Sequence, residues 1–132
     1  MKNYRKVAND YFKAVEEQKF KGIMSLFDEN CVLYFADTGV VRGKQEYIKL
    51  NHNLSNEESS FQFRANKLHY RFERFKYTQQ RNRLVVEGVE YGENLDGFPI
   101  KDNKFCSVFE FDEQTQLITR MYVYTDPKFG IN

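Results

Sequence analysis

Tryptophan is absent from this chain of 132 residues, and cysteine, proline and histidine occur only twice each. Cys31 and Cys106 are too few for a disulfide framework. Neither they nor His52 and His69 combine with carboxylates at the spacing of a metal-ligand set. We therefore expect no metal and no cofactor, and two reduced, buried thiols.

A charge of predominantly one sign and a long apolar run are also missing. The formal net charge is +1, so no overall field attracts nucleic acid or a membrane surface. No apolar run approaches the roughly 18 residues that a membrane-spanning helix needs, and residues 1–12 lack the apolar segment of a signal peptide. These absences predict a cytoplasmic protein that binds neither nucleic acid nor membrane.

Aromatic residues, by contrast, are abundant. Thirteen phenylalanines and nine tyrosines make up 17% of the chain. So many rings must line a core, a pocket or an interface. The length suits one domain, 1–132, that buries a core of its own.

The order of elements follows from the periodicity. Apolar residues recur at helical spacing in 4–18, in 20–28 and in 44–54. A short hairpin, with strands 31–36 and 40–42, separates the second helix from the third. Four strands follow from Phe61 to Asp126, joined by polar turns. We predict an α+β fold in which three N-terminal helices pack on a curved, mostly antiparallel sheet of about six strands.

Strict alternation along the first long hairpin predicts which side chains face the helices. If its turn spans 78–81, Tyr77 lies opposite Asn82. The apolar face, which we expect to cover the helices, then carries Leu68, Tyr70, Phe72, Arg74, Val85, Glu87, Val89 and Tyr91.

The final hairpin, with its turn at 113–116, is sorted in the same way. One face carries Phe105, Ser107, Phe109, Phe111, Ile118, Arg120, Tyr122, Tyr124 and Asp126. The opposite face is also partly apolar, with Val108, Met121 and Val123. Because helices cover only one side of such a sheet, we predict a homodimer through this second face.

The element order, together with several short segments, resembles the nuclear-transport-factor-2-like superfamily and, within it, the SnoaL-like group. Relatives there include ketosteroid isomerases, scytalone dehydratase and polyketide cyclases. The resemblance covers nearly the whole chain, and its segments are 11–12, 23–29, 42–48, 94–97, 109–111, 117–120 and Asp126.

The resemblance implies a cone-shaped cavity between helices and sheet, where family enzymes place an acid/base carboxylate. Asp126 matches the aspartate that ends the last strand of some cyclases; it is alternatively a cap of the strand end. Glu87, inward in the predicted register, is either a pocket carboxylate or half of an ion pair with Arg74. A histidine partner in the last two strands is missing, and Asp37 suits a turn. The ligand-binding candidates are Tyr11, Tyr34, Phe72, Tyr91, Phe109, Arg120 and Tyr122.

Two functions remain open at this point. The first is a pocket for a small apolar molecule, with acid/base chemistry of the isomerase, cyclase or dehydratase type on a cyclic or carbonyl compound. The second is a non-catalytic dimerisation or ligand-sensing domain. The basic, aromatic stretch 64–83 is also compatible with single-stranded nucleic acid, but cross-strand pairing with Glu87, Glu90 and Glu93 is the favoured interpretation.

Overall fold

The computed structural model describes residues 3–17, 19–36, 39–48, 68–93 and 99–126. The chain opens with α1 (Tyr4–Glu16) and α2 (Phe20–Met24), and a third helix, α3, is described over 44–48. The strands described are β1 (Phe27–Phe35), β2 (Gly39–Arg42), β3 (Leu68–Gln80), β4 (Arg83–Glu93), β5 (Pro99–Phe111) and β6 (Ile118–Thr125). The predicted α+β class, with N-terminal helices and a six-stranded sheet, is confirmed.

Several predictions about local structure lie outside the described residues. They are the turn at Asp37, the third helix beyond 48, the strand segment 61–67 and the turn 94–97. The side chains of Leu68, His69 and Tyr70 are outside them as well.

The six strands form one sheet in the order β2-β1-β6-β5-β4-β3. Neighbouring strands are antiparallel except for β1 and β6, which run parallel. The final strand therefore lies inside the sheet, because β1 and β2 extend the sheet on its far side.

The register separates two faces of this sheet. The inner face, which packs against the helices, carries a row of paired residues that are each at most 2% exposed: Val41, Leu33, Met121, Phe109 and Leu84. The outer face carries the adjacent row: Val40, Tyr34, Tyr122, Val108 and Val85. Which face a side chain joins decides whether it reaches the interior.

A bulge in β3 reverses the alternation predicted for the first hairpin. Glu73 lies opposite Val89 and Lys76 opposite Glu87, so β3 holds one extra residue between these pairs. Arg74 in this interval has a φ of 58°. Phe72 and Phe75 both pack against the core as a result.

Three details of the predicted register are wrong. Gln80, rather than Tyr77, begins the pairing, and its partner is Arg83. Arg74 is exposed instead of facing the helices. Glu87 is exposed on the outer face, because the buried side chains at this end of β4 are those of Leu84 and Val86.

A bulge in β6 likewise reverses the alternation predicted for the final hairpin. Phe111 lies opposite Ile118, but the next residue, Glu110, lies opposite Arg120, which leaves an extra residue in β6. Ile118 and Met121, three positions apart, are consequently both buried, at 0% and 1% exposure. The prediction that Arg120, Tyr122 and Tyr124 face inward is wrong, and so is the prediction that Met121 and Val123 form the second face.

Helix α1 covers the inner face with residues three or four positions apart. Its N-cap Asn3 accepts a hydrogen bond from the Lys6 N–H at 3.1 Å, which satisfies a donor of the first turn. The ring of Phe12 lies with its centroid 5.0–5.9 Å from the rings of Phe72, Phe75, Phe105 and Phe109. This contact set joins α1 to strands β3 and β5.

Candidate functional site

Glu90 is the one charged side chain classed as buried among the residues that the structure describes, with 3% exposure. It stands on β4, with Phe72 opposite it on β3 and Asn103 opposite it on β5. The Asn103 amide donates a hydrogen bond to the Glu90 carboxylate, with 3.0 Å between Nδ2 and Oε1. Asn103 is itself 7% exposed, so this polar pair is enclosed by protein.

Gly88 shapes the surface beside Glu90. A Cβ atom at Gly88 would stand 2.8 Å from two ring carbons of Phe105 and 3.0 Å from the carbonyl oxygen of Glu73. The Phe105 ring therefore lies directly over the glycine. The Phe105 ring also contacts the ring of Phe72, with centroids 5.5 Å apart. Because Phe72 lies opposite Glu90, these two rings lie on the same part of the inner face as Glu90.

Two further buried polar side chains are phenols, one on each of two helices. The hydroxyl of Tyr11 on α1 is hydrogen-bonded to that of Tyr47 on α3, and both rings contact Phe27. Burial raises the pKa of Tyr11 well above its usual value; the Tyr47 hydrogen bond opposes this and the charge of Glu90 adds to it. Burial likewise raises the pKa of Tyr47. Both phenols are therefore neutral hydrogen-bond donors at ordinary pH.

We refer to Tyr11, Tyr47, Glu90 and Asn103 as the polar cluster. It combines one carboxylate, one amide and two neutral phenols within a largely apolar interior. A carboxylate in such surroundings can accept a proton from carbon, and a phenol can donate to the oxygen on which negative charge develops. The arrangement thus has the components of acid/base catalysis next to a carbonyl group.

Three of the predicted ligand-binding residues are close to this cluster. Tyr11 belongs to it, and Phe72 lies opposite Glu90. The ring of Phe109 contacts that of Tyr11, with centroids 5.7 Å apart. The structure brings these three together on the inner face.

Three others lie on the outer face instead. The rings of Tyr34 and Tyr122 are stacked, with centroids 4.8 Å apart and an interplanar angle of 6°. Arg120 is exposed, and its hydrogen bond with Tyr122 raises its pKa. The sheet separates these residues from Tyr11, because their strand neighbours Leu33 and Met121 are the ones that enter the core.

Tyr91 is also apart from the polar cluster. Its hydroxyl donates to a carboxylate oxygen of Asp102 at 2.6 Å, and this hydrogen bond is the main cause that raises its pKa. The guanidinium of Arg71 lies 4.7 Å from the centroid of its ring. The predicted inward position of Tyr91 is therefore wrong.

The two carboxylates predicted to be catalytic have different positions. Glu87 is exposed, opposite Lys76 and Cys106, and does not form the predicted buried pair with Arg74. Asp126 follows β6, is half-buried and donates its backbone N–H to the carbonyl oxygen of Lys104 at 2.9 Å. Their catalytic roles stay predictions.

The sequence predicts an inward Tyr47 but assigns no functional role to it or to Asn103, and it does not predict the inward position of Glu90. A signal was present: Phe72, Phe75 and Tyr77 are spaced by three and then two residues, which indicates an extra residue in a strand. That residue places Phe72 opposite Glu90 on the inner face, where Glu90 follows Leu84 and Val86 in the alternation of β4. For the basic stretch, Lys76 does lie opposite Glu87, whereas Arg71 pairs with Glu73 of its own strand at 2.9 Å.

The described part of the chain contains no group of three or more His, Cys, Asp or Glu side chains that could hold a metal ion. Within the same residues, no helix has the length and apolar character of a membrane span. Both cysteines are free thiols; Cys31 is buried as predicted, whereas Cys106 is half-buried.

The fold is that of nuclear-transport-factor-2-like proteins, as solved structures show. One of this type, of unknown function, from Burkholderia pseudomallei is 16% identical, with a TM-score of 0.74 over 96% of this chain and 92% of its own. A candidate SnoaL-like polyketide cyclase from Shewanella denitrificans is 18% identical, with a TM-score of 0.74 over 96% and 92%.

A third protein, from Catenulispora acidiphila, has a ketosteroid isomerase-like fold and was solved in complex with trimethylamine. It is 11% identical, with a TM-score of 0.74 over 93% of this chain and 87% of its own. The sequence matches no protein-family model and no curated protein. At these identities the likeness establishes the fold and leaves the activity to be argued from the residues.

Proposed function

We propose that this protein binds a small, largely apolar molecule at the inner face of its sheet and moves a proton on it. The enclosed Glu90 carries this proposal, because an evolved core seldom retains a carboxylate without a use for it. Proteins of this fold include candidate cyclases and isomerases, and one binds a small organic molecule. The expected substrate is an apolar cyclic or carbonyl compound.

Each member of the polar cluster has a distinct role in this proposal. Glu90 accepts and returns the proton, and the Asn103 amide holds the carboxylate in place through its hydrogen bond. Tyr11 donates to the substrate oxygen, and Tyr47 positions the phenol of Tyr11. Phe72 and Phe105 supply apolar surface for the carbon skeleton.

Hydrogen exchange at carbon tests the proposal. Cyclic ketones are incubated with the protein in deuterated buffer, and loss of the proton signal next to the carbonyl is followed by NMR. Glu90→Gln should slow the exchange by about 10²–10⁴-fold, the usual contribution of a positioned general base. Glu93→Gln is the matched control, because it makes the same change at an exposed position of the same strand and should leave the rate unchanged.

Two results would count against this assignment. Equal rates for wild type and a folded Glu90→Gln variant would remove Glu90 from the chemistry. A large loss with Asp126→Asn alone would return the role to the carboxylate that the resemblance indicates. Circular dichroism of each variant establishes that a loss of rate is not a loss of fold.

The alternative is a non-catalytic dimerisation or ligand-sensing domain, and the packing of the rings favours it. Phe12 contacts four other phenylalanine rings, so aromatic side chains occupy much of the space between α1 and the sheet. In that case ligands bind without hydrogen exchange, and Glu90 serves recognition alone.

For either function we propose a homodimer through the outer face. The apolar row on that face runs across five strands, Val40 is 39% exposed, and Tyr124 beside the row is 49% exposed. Such a face is expected to be covered by a partner. A cytoplasmic location and the lack of nucleic-acid partners remain part of the proposal.

A further inference from the structure

A bulge in β5 determines which of its side chains reach Glu90. Asn103 lies opposite Glu90, but the next pair joins Ile100 to Gly92, which leaves one residue more in β5 than in β4 between the two pairs. Asp102 lies in this interval and has a φ of 49°. Because of the extra residue, Ile100 and Asn103 are both buried although they are three positions apart, with exposures of 5% and 7%.

The bulge also keeps a lysine out of the interior. Without the extra residue, strict alternation from Asn103 would turn Lys101 inward and Ile100 outward. In the structure Lys101 is exposed. An inward ammonium group would favour the charged form of the Glu90 carboxylate and so weaken it as a base. The conformation of the bulge therefore affects both the hydrogen bonding and the electrostatics of Glu90.

A hydrogen bond at the protein surface connects this bulge to β4. The Tyr91 hydroxyl donates to a carboxylate oxygen of Asp102 at 2.6 Å, and the Arg71 guanidinium lies 4.7 Å from the centroid of the Tyr91 ring. Asp102 is the residue with positive φ, and it immediately precedes Asn103. Its side-chain hydrogen bond thus restrains the backbone from which Asn103 turns inward.

We propose that Tyr91 and Asp102 are positioning residues for the Glu90–Asn103 pair. Their hydrogen bond holds the β5 bulge in the conformation that presents the Asn103 amide to the Glu90 carboxylate. This inference rests on the proposed function in taking Glu90 as the base. It adds two surface residues that set the geometry of the base without touching the substrate.

The side-chain amide of Asn103 reports this geometry directly. Its NMR signals are assigned by triple-resonance spectroscopy and compared among wild type, Tyr91→Phe and Asp102→Gly; glycine permits the positive φ and removes the acceptor. Both variants should shift these signals, and the double variant should shift them no further, because each substitution removes the same hydrogen bond. Asp102→Asn retains an acceptor oxygen and tolerates positive φ, so it should restore the wild-type signals.

Hydrogen exchange on cyclohexanone in deuterated buffer measures the consequence for catalysis. Tyr91→Phe should lower kcat by about tenfold or more and leave KM unchanged, because even a small displacement of a catalytic group is costly. Tyr77→Phe is the matched control. It removes a hydroxyl that donates to Asn9 on α1 at 2.5 Å, which is a comparable hydrogen bond between other elements, and it should leave kcat unchanged.

The outcomes separate this inference from the proposed function. Unchanged Asn103 signals in Tyr91→Phe and Asp102→Gly would overturn the inference, and so would shifted signals combined with a wild-type kcat. A wild-type protein that exchanges hydrogen on none of the cyclic ketones would instead overturn the proposed function, and the Asn103 signals would then decide the inference by themselves.

Discussion

Gly88 is a residue at which the absence of a side chain has a direct structural use. Its position under the Phe105 ring leaves no room for a methyl group. Gly88→Ala should therefore lower the free energy of unfolding by about 1–3 kcal/mol, the typical cost of an extra carbon in a packed core. Urea denaturation followed by circular dichroism measures this loss.

Gly22 provides the control for that substitution. A Cβ atom there would lie 3.7 Å from its nearest neighbours, which is ordinary contact, and the residue lies within α2. Gly22→Ala should leave stability unchanged or raise it by up to about 1 kcal/mol. A Gly88→Ala variant as stable as wild type would show that the Phe105 ring is free to move away.

The burial of Tyr11 makes the free energy of unfolding depend on pH. Its folded-state pKa is raised above the unfolded value of about 10, so unfolding releases its proton once the pH exceeds that value. Its contribution to stability is complete below pH ~10 and is lost as the pH rises toward the folded pKa, at ~1.4 kcal/mol per pH unit. Tyr11→Phe should show a shallower fall in unfolding free energy above pH ~10 than wild type. Parallel curves would contradict the burial of this phenol.

At the scale of elements, the bulge in β3 decides what the strand buries. Arg74 adopts a positive φ there, which costs a residue other than glycine ~1–2 kcal/mol. Arg74→Gly should therefore maintain or raise the free energy of unfolding. Arg74→Val should lower it, because β-branched side chains tolerate this backbone conformation poorly. Thermal unfolding of the two variants measures the difference.

Arg71→Gly is the matched control for the bulge. It makes the same exchange in the same strand at a position without positive φ, where glycine should destabilise by about 0.5–1 kcal/mol. Equal effects of Arg71→Gly and Arg74→Gly would argue against a strained backbone at Arg74.

At the scale of the whole molecule, the outer face determines the expected assembly. Tyr122 lies near the centre of its apolar row and is stacked on Tyr34. Tyr122→Glu should convert a dimer to a monomer, because it buries a charge in an apolar contact. Sedimentation velocity at micromolar concentration measures the change. Arg81→Glu, at an exposed turn, should leave the dimer intact, and a monomeric wild-type protein would refute the proposed assembly.

The fold could be predicted from the sequence more completely than the site, for a physical reason. Helical spacing around Tyr11 and Phe12, polar turns and aromatic alternation are local properties, so the element order and the six strands were predicted correctly. Of the site, Tyr11, Phe72 and Phe109 were predicted on the inner face, where they lie. Glu87 was predicted on the inner face but is exposed on the outer one, because strict alternation was carried past Arg74.

The amino-acid sequence by itself determined the succession of helices and strands, since periodicity and turn residues act over a few neighbouring positions. Only the tertiary structure decided which carboxylate enters the interior and which tyrosines face outward. An extra residue between Glu73 and Lys76 of β3 and another between Ile118 and Arg120 of β6 each exchange the two faces of a strand, and where such a residue is inserted depends on how neighbouring strands pair. The enclosed Glu90 and the exposed Tyr122 are both consequences of that pairing.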